Sequence, residues 1–175
     1  DRSHINVLSF NSLEFKGHRG GITELGHQLA SALKHEGHGV TVLARGEGSD
    51  EFDETASYEI IRTPEGEPKE LVEKLNGEHA FDLFFLLVID SSWRTARRVS
   101  KHNNIPLVLY VHGLEIRKKN NIYPVSLAKM FVKSLRLRKS DVVMCNSFAT
   151  LLLAIRRRAV PERTRVLWPG INTDK

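Results

Sequence analysis

Two stretches of this chain, "DLFFLLVI" at 82–89 and "PLVLYVHG" at 106–113, place apolar residues at consecutive positions with almost no polar residue between them. Successive side chains of a strand point to opposite faces of its sheet, so such runs predict strands buried on both faces. A sheet with one wet face would alternate polar with apolar instead. Between the two runs lies "SSWRTARRVSKHN", a basic helical stretch with serines available as N-caps. Doubly buried strands joined by a helix make a parallel crossover, and that unit demands helices packed over the sheet.

The same alternation runs through the rest of the chain. "HINVLSF" at 4–10 is a short apolar run, followed by a polar stretch that ends in Gly20-Gly21. From there Ile22, Leu25, Leu29 and Leu33 recur at intervals of three and four, which predicts an amphipathic helix burying that stripe. Gly37 stands where a left-handed C-terminal cap belongs, and "VTVLA" after it is a β-branched strand. "SYEIIRT" predicts a further strand, and "PKELVEKLN" a helix opened by Pro68 and ended near Gly77. Beyond the second doubly buried run come a long helix, "PVSLAKMFVKSLRLRKS", a strand, "DVVMCNS", a helix, "FATLLLAIRRRAV", and a last strand, "TRVLWPG". "GEGSDEFDETA" at 46–56 is an acidic loop, and no repeat or low-complexity tract interrupts the order. The fold class that follows is α/β, a doubly wound parallel sheet with helices on both faces.

Length and composition agree with one such domain. The chain has 175 residues, 41% hydrophobic and 27% charged, enough to bury a core without cross-links. Its single cysteine, Cys145, has no partner for an internal disulfide, which points to a reducing compartment. The longest apolar run is strand-sized and far short of the roughly 20 residues of a membrane span. "DRSHINVLSF" at the N-terminus lacks a signal-peptide pattern, and the missing initiator methionine suggests a chain processed or cut before Asp1. The net charge of +5 is divided unevenly. Residues 1–87 carry eight basic and 16 acidic side chains, whereas residues 88–175 carry 18 basic and five acidic. This asymmetry suits an anionic partner, or else a solvated basic face.

Ligands of open α/β sheets bind beyond the carboxyl ends of the strands, near the point where strand order reverses. That rule selects four loops, at 12–21, 90–92, 112–121 and 146–147. Gly20-Gly21 either makes a tight turn or lets an anion approach the free N–H groups of the following helix; it matches neither G-x-G-x-x-G nor the P-loop pattern. His112 ends its strand at the crevice, where an imidazole can donate to a substrate hydroxyl or carry a proton, or else simply pack. Glu115, Arg117, Lys118 and Lys119 bring charge to the same loop. The eight histidines are scattered, with no H-E-x-x-H or Cys/His cluster, so no metal site is expected; nor is there a G-x-S-x-G nucleophile elbow. Lys129, Lys133 and Arg136 share one face of a helix whose Leu127, Phe131 and Leu135 lie elsewhere, and Arg156, Arg157 and Arg158 charge the next helix. Such helices either lie on an anionic bilayer or present a solvated face. Nucleic acid is a poor partner, because no RRM, KH or zinc-finger pattern occurs and the aromatics fall mostly in strands.

In their order, "GGITELGHQLASALKHEGHGVTVLA", "FDLFFLL", "NNIPLVLYVHGLE" and "KSDVVMCNSFATLLLAIRRRAVPERTRVLWPGIN" resemble the N-terminal Rossmann-like domain of a GT-B glycosyltransferase of the retaining family 4. The resemblance runs from about residue 5 to residue 172. It implies transfer of a sugar from a nucleotide-sugar donor to an acceptor, with no metal or cofactor. On matching positions it implies that Gly20 and Gly21 approach the donor diphosphate and that His112 lies against the donor sugar. It makes Ser147 a residue lining the cleft. Arg117 and Lys118 become contacts to an anionic or lipid-linked acceptor. Residues 1–170 would form the acceptor-side domain and 171–175 the start of an interdomain linker, the donor domain with its E-x7-E pair being absent. The expectation is a chain inactive alone, located in the cytoplasm or on the cytoplasmic face of the membrane. The alternative is a stand-alone module docking on an anionic membrane or a partner subunit. A small nucleotide-binding regulator fits less well, since Asp90 stands alone at its strand end.

Overall fold

The computed structural model describes residues 4–11, 21–45, 53–54, 56–63, 69–117 and 124–169. Seven strands follow the order β3-β2-β1-β4-β5-β6-β7 in one sheet: β1 (Asn6–Asn11), β2 (Gly39–Arg45), β3 (Glu59–Thr63), β4 (Leu83–Leu86), β5 (Leu107–Val111), β6 (Val142–Cys145) and β7 (Thr164–Val166). The pairings β1 with β2 and β4, β2 with β3, and β6 with β5 and β7 are parallel. This is the Rossmann-like α/β fold that the doubly buried runs require. The chain divides into two compact units, residues 1–107 and 108–175.

In the first unit β1 lies between β2 and β4, with Asn6 opposite Gly39 and Val7 opposite Leu83. Order reverses between β1 and β4, so the switch point of the sheet belongs to this unit. Val7, Leu8, Leu43, Phe84 and Leu86 are almost wholly buried, and Phe10 meets Phe84 edge to face at 5.7 Å.

The helix expected after Gly20-Gly21 is α1, Gly21–His35, but its buried face is Thr23, Gly26 and Ala30. Leu25, Leu29 and Leu33 are only half-buried, and Ile22 is exposed. The physical reason is size. Ala30 packs into a cluster with Val40, Val42, Ala44 and Tyr58, and small residues let the helix backbone approach the strands while the leucines flank the contact. Gly37 ends this helix at φ +87°. His38 N–H donates to Leu33 O and Gly37 N–H to Lys34 O, the paired bonds of a Schellman motif. A Cβ at Gly37 would also stand 2.9 Å from the exposed His4 ring, which would have to turn aside.

The next helix, α2 (Lys69–His79), runs two residues past Gly77, where the sequence predicted its end. A glycine inside a helix costs about 1 kcal/mol but does not break it. Termination comes instead at Ala80, which takes φ +50°, while the Asn76 side chain accepts the Phe81 N–H. Helix α3 (Ser92–Asn103) opens without the expected serine cap, since the Ser91 side chain makes no capping bond. Asp90 Oδ1 accepts the Ser92 N–H at 2.9 Å, and its negative charge suits a helix N-terminus.

Every residue of β5 is buried, and in the second unit Val108 and Val143 sit opposite Val142 and Thr164. Two helices, α4 (Pro124–Lys139) and α5 (Phe148–Arg156), accompany these strands. On α4 the buried side is Ser134 and Leu137. Leu127 and Phe131 face solvent, and Lys133 turns inward to donate to Glu115 O at 2.6 Å.

Candidate functional site

Three observations locate a built cluster at the carboxyl ends of β5 and β6. First, His112 follows β5 directly, and its main chain is held on both sides. Its N–H donates to Glu115 Oε1 at 2.7 Å, and its carbonyl accepts from Asn146 Nδ2 at 3.2 Å. Second, Gly113 takes φ +98°, a left-handed conformation that side chains resist, and a Cβ there would stand 2.9 Å from Thr150 Oγ1. The turn 113–117 is closed by Ile116 and Arg117 N–H groups donating to Gly113 O. Third, Asn146 N–H donates to Val111 O, and Thr150 Oγ1 donates to Asn146 Oδ1 at 2.7 Å, so the β6 end is tied to the β5 end.

Ser147 is the N-cap of α5, in extended conformation at φ −161°. Its hydroxyl oxygen accepts the Thr150 N–H at 3.2 Å and its hydroxyl group donates to Thr150 Oγ1 at 3.0 Å. Its role in this structure is to start a helix and order Thr150. Sequence reasoning named the 146–147 loop but missed Asn146 and Thr150 as the groups that orient His112. Local spacing held no signal for them, since Ser147-Phe148-Ala149-Thr150 is not the Ser-x-x-Glu/Gln capping box. It also placed Glu115 in the loop only as a charge, whereas the carboxylate fastens the His112 main chain and the Glu115 carbonyl receives Lys133.

The half-buried His112 imidazole packs against the Tyr110 ring at 4.9 Å with an interplanar angle of 56°. Tyr110 is fixed in turn by its hydroxyl donating to Leu167 O at 2.8 Å. Burial raises the Tyr110 pKa, so the phenol is neutral and can donate that bond. Burial also pushes the Cys145 thiol up to about 11, with the nearby Glu115 charge adding to the effect. A fully buried, neutral thiol is a packing residue and not a nucleophile. The cluster therefore frames the His112 imidazole, a group able to hydrogen-bond a hydroxyl.

Arg117 is exposed at the end of the turn. Gly21 is the first residue of α1, and a Cβ built on it meets open space, so neither packing nor backbone conformation of the described chain demands glycine there. Gly20 and Lys118 lie outside the described residues. A cavity of about 280 Å³ in the first unit is lined by Asn6, Lys34, Gly39, Thr41 and Glu59, among others. Asn6, Gly39 and Glu59 begin β1, β2 and β3, so this cavity is at the amino edge, opposite to where such sheets bind ligands. Among the described residues no group of three or more His, Cys, Asp or Glu is arranged to hold a metal, and no helix is long and apolar enough to cross a membrane.

Comparison with known proteins gives the fold its relatives. Anabaena Alr3699/HepE, solved with UDP and glucose, aligns with a TM-score of 0.73 at 17% identity, over 97% of this chain and 45% of that one. A glycosyltransferase from Rickettsia africae aligns with a TM-score of 0.70 at 16% identity, over 98% of this chain and 44% of that one. UDP-N-acetylglucosamine 2-epimerase from Rickettsia bellii also aligns, with a TM-score of 0.59 at 13% identity, over 94% of this chain and 44% of that one. The chain thus spans less than half the length of these structures, and at such identities the likeness concerns the fold alone. No curated protein sequence matches it significantly. The family model described as Glycosyltransferase Family 4 matches residues 19–175, nearly the entire chain. On that match, this chain belongs to glycosyltransferase family 4.

Proposed function

We propose that residues 1–170 are the acceptor-side domain of an enzyme that moves a sugar from a nucleotide-sugar donor to an acceptor, and that a second domain supplies the nucleotide pocket. The single observation that carries this reading is the family match over residues 19–175, which takes in all the strand-end loops but the start of the first. The neighbour solved with UDP and glucose supports a nucleotide-sugar as the donor class. In the transfer, the bond from the sugar's anomeric carbon to the diphosphate breaks, a bond to an acceptor hydroxyl oxygen forms, and the hydroxyl proton passes to the departing diphosphate. Positive charge grows on the sugar while negative charge grows on the departing diphosphate.

In this reading His112 is the catalytic residue. Its framed main chain and its packing on Tyr110 position the imidazole, which hydrogen-bonds the donor sugar and supports its charge, and such preorganised groups need no rearrangement during reaction. Gly20 and Gly21 admit the diphosphate to the N-terminus of α1, whose N–H groups and dipole favour an anion. Arg117 and Lys118 meet an anionic acceptor, and Ser147 borders the cleft while capping α5. The reading assigns no metal or resident cofactor. Orientation of donor and acceptor requires both walls of a cleft, so the 175-residue chain alone turns over no sugar at a meaningful rate. The test is an assay with UDP- and GDP-sugars of the protein translated from the whole gene, beside the 175-residue chain. Transfer by the former alone supports the reading. Robust transfer by the isolated chain, or none by the whole protein over a broad donor and acceptor panel, contradicts it.

A further inference from the structure

We propose that the cavity at the amino edge of the first unit is a binding site for one uncharged sugar ring. Lys34 near the end of α1, Gly39 and Thr41 of β2, Glu59 of β3 and His79 at the end of α2 line its volume of about 280 Å³. Sites for drug-sized ligands begin at about 300 Å³, so this space suits a single ring and is too small for a whole nucleotide-sugar.

The polar groups of the lining are held in place before any ligand arrives. A Cβ at Gly39 would collide with Asn6 Oδ1, so glycine lets the Asn6 amide lie across the start of β2. That residue is fixed by its Nδ2 donating to His79 O at 2.9 Å and its main-chain N–H donating to Asp82 Oδ2 at 2.8 Å. Glu59 is fixed as well. Thr41 Oγ1 donates to Glu59 Oε2 at 2.9 Å, and His79 Nε2 stands 3.8 Å from the same oxygen. The His79 ring stacks on Phe81, with 5.4 Å between ring centres and 22° between planes. Phe81 and Val40 add apolar lining.

The chemistry of this lining selects the ligand. A carboxylate only accepts hydrogen bonds, an ammonium group only donates them, and an amide or a neutral imidazole does both. A hydroxyl also does both, so the hydroxyls of a sugar can donate to Glu59 and accept from Lys34. The Lys34 ammonium pairs with no carboxylate among the described residues. Its formal charge and that of Glu59 cancel, and an anion drawn to Lys34 meets the Glu59 carboxylate in the same cavity. A wholly apolar ligand would leave the fixed polar groups without partners. An uncharged, polyhydroxylated ring with an apolar face satisfies both kinds of wall. The proposal stands on the first unit alone and not on the transfer reading, whose ligands belong at the carboxyl ends of strands.

The experiment is a titration of the purified, isotope-labelled 175-residue chain with the methyl glycosides of glucose, galactose, mannose and N-acetylglucosamine, followed by amide NMR. It uses no nucleotide, so its failure leaves the transfer reading untouched. The amide signals of Gly39, Thr41, Glu59 and His79 should move with at least one glycoside, while that of Gly113 stays in place. Lys34→Met with Glu59→Gln should weaken this binding at least tenfold. Both side chains are exposed, and glutamine keeps an acceptor for Thr41, so the variant should fold. Equal affinity for a methyl glycoside and its matching trisaccharide marks a site for a free sugar, and tighter binding of the trisaccharide marks one for the end of a chain; either supports the proposal. No movement of these signals with any of the four glycosides would overturn it. So would undiminished binding by the double variant, or a response to inorganic phosphate alone, which would make the cavity an anion site.

Discussion

The two units solve the problem of covering a sheet with helices in opposite ways. In the first, α2 exposes Glu70, Lys74 and Glu78, and α3 exposes Arg94, Arg98 and Lys101, so water meets charge. In the second, α4 and α5 meet water with Leu127, Phe131, Phe148 and Leu152, although they cover a sheet segment no less apolar. An outward phenylalanine adds little to the stability of the helix that carries it, and contiguous apolar exposure marks a contact surface. The first unit holds the topological switch point, and the second holds the framed imidazole together with the apolar face.

The largest effect that would test this contrast is in the first unit's core. Phe84→Ala removes a fully buried ring packed on Phe10 and Phe81, and is expected to cost about 3–5 kcal/mol in urea denaturation. A loss under about 1 kcal/mol would mean that the sheet core is looser than its burial implies. Next comes Gly113→Ala, which strains a left-handed residue and drives a methyl against Thr150 Oγ1. The expected cost is about 1–3 kcal/mol, seen as a lower melting temperature and as displaced NMR signals of His112. An unchanged His112 environment would show that the turn does not position the imidazole.

Alkaline pH should probe both units in turn. Cys145 has its pKa raised from 9.0 to about 11 and Tyr58 from 10.0 to about 12, in both cases chiefly by burial. The folded chain holds these protons after the unfolded chain has released them, so this stability is intact below pH 9 and is lost as pH rises. Cys145→Ala should remove the part of the loss between pH 9 and about 11, and Tyr58→Phe the part between pH 10 and about 12, as read from denaturation midpoints across that range. A pH profile identical in all three proteins would contradict the burial argument. The smallest effect belongs to the outward rings. Phe131→Ser or Phe148→Ser should change stability by less than about 0.5 kcal/mol, against several for Phe84. A loss comparable to that of Phe84 would make them core residues and end the contrast.

The sequence made the strands readable because a doubly buried strand has one signature, an unbroken apolar run, and because Gly37 has one use at a helix end. It put His112 at a strand terminus for the same reason. Helix faces were less legible. On α1 the hydrophobic stripe of leucines predicted burial, but closeness of approach favoured Gly26 and Ala30, whose lack of bulk gives no periodic signal. On α4 the pattern showed where the basic residues lay but not which row the sheet would cover. Caps were the least legible, since Ser91 and Asp90 are both good N-cap types and only the backbone decided for the aspartate. The frame around His112 depends on residues 34 and 38 positions away in the chain, Asn146 and Thr150, which local spacing cannot pair.

The measurement that bears most directly on the central claim is the kcat of the whole-gene protein with His112→Ala, taken together with its melting temperature. Because the main-chain bonds of the frame survive loss of the ring, the variant should fold, with its melting temperature lowered only by the lost packing on Tyr110. Its kcat should fall by about a hundredfold or more, the range typical of losing one positioned catalytic group. A variant that melts like the parent and keeps its kcat within about twofold would contradict the assignment of this imidazole to the chemistry.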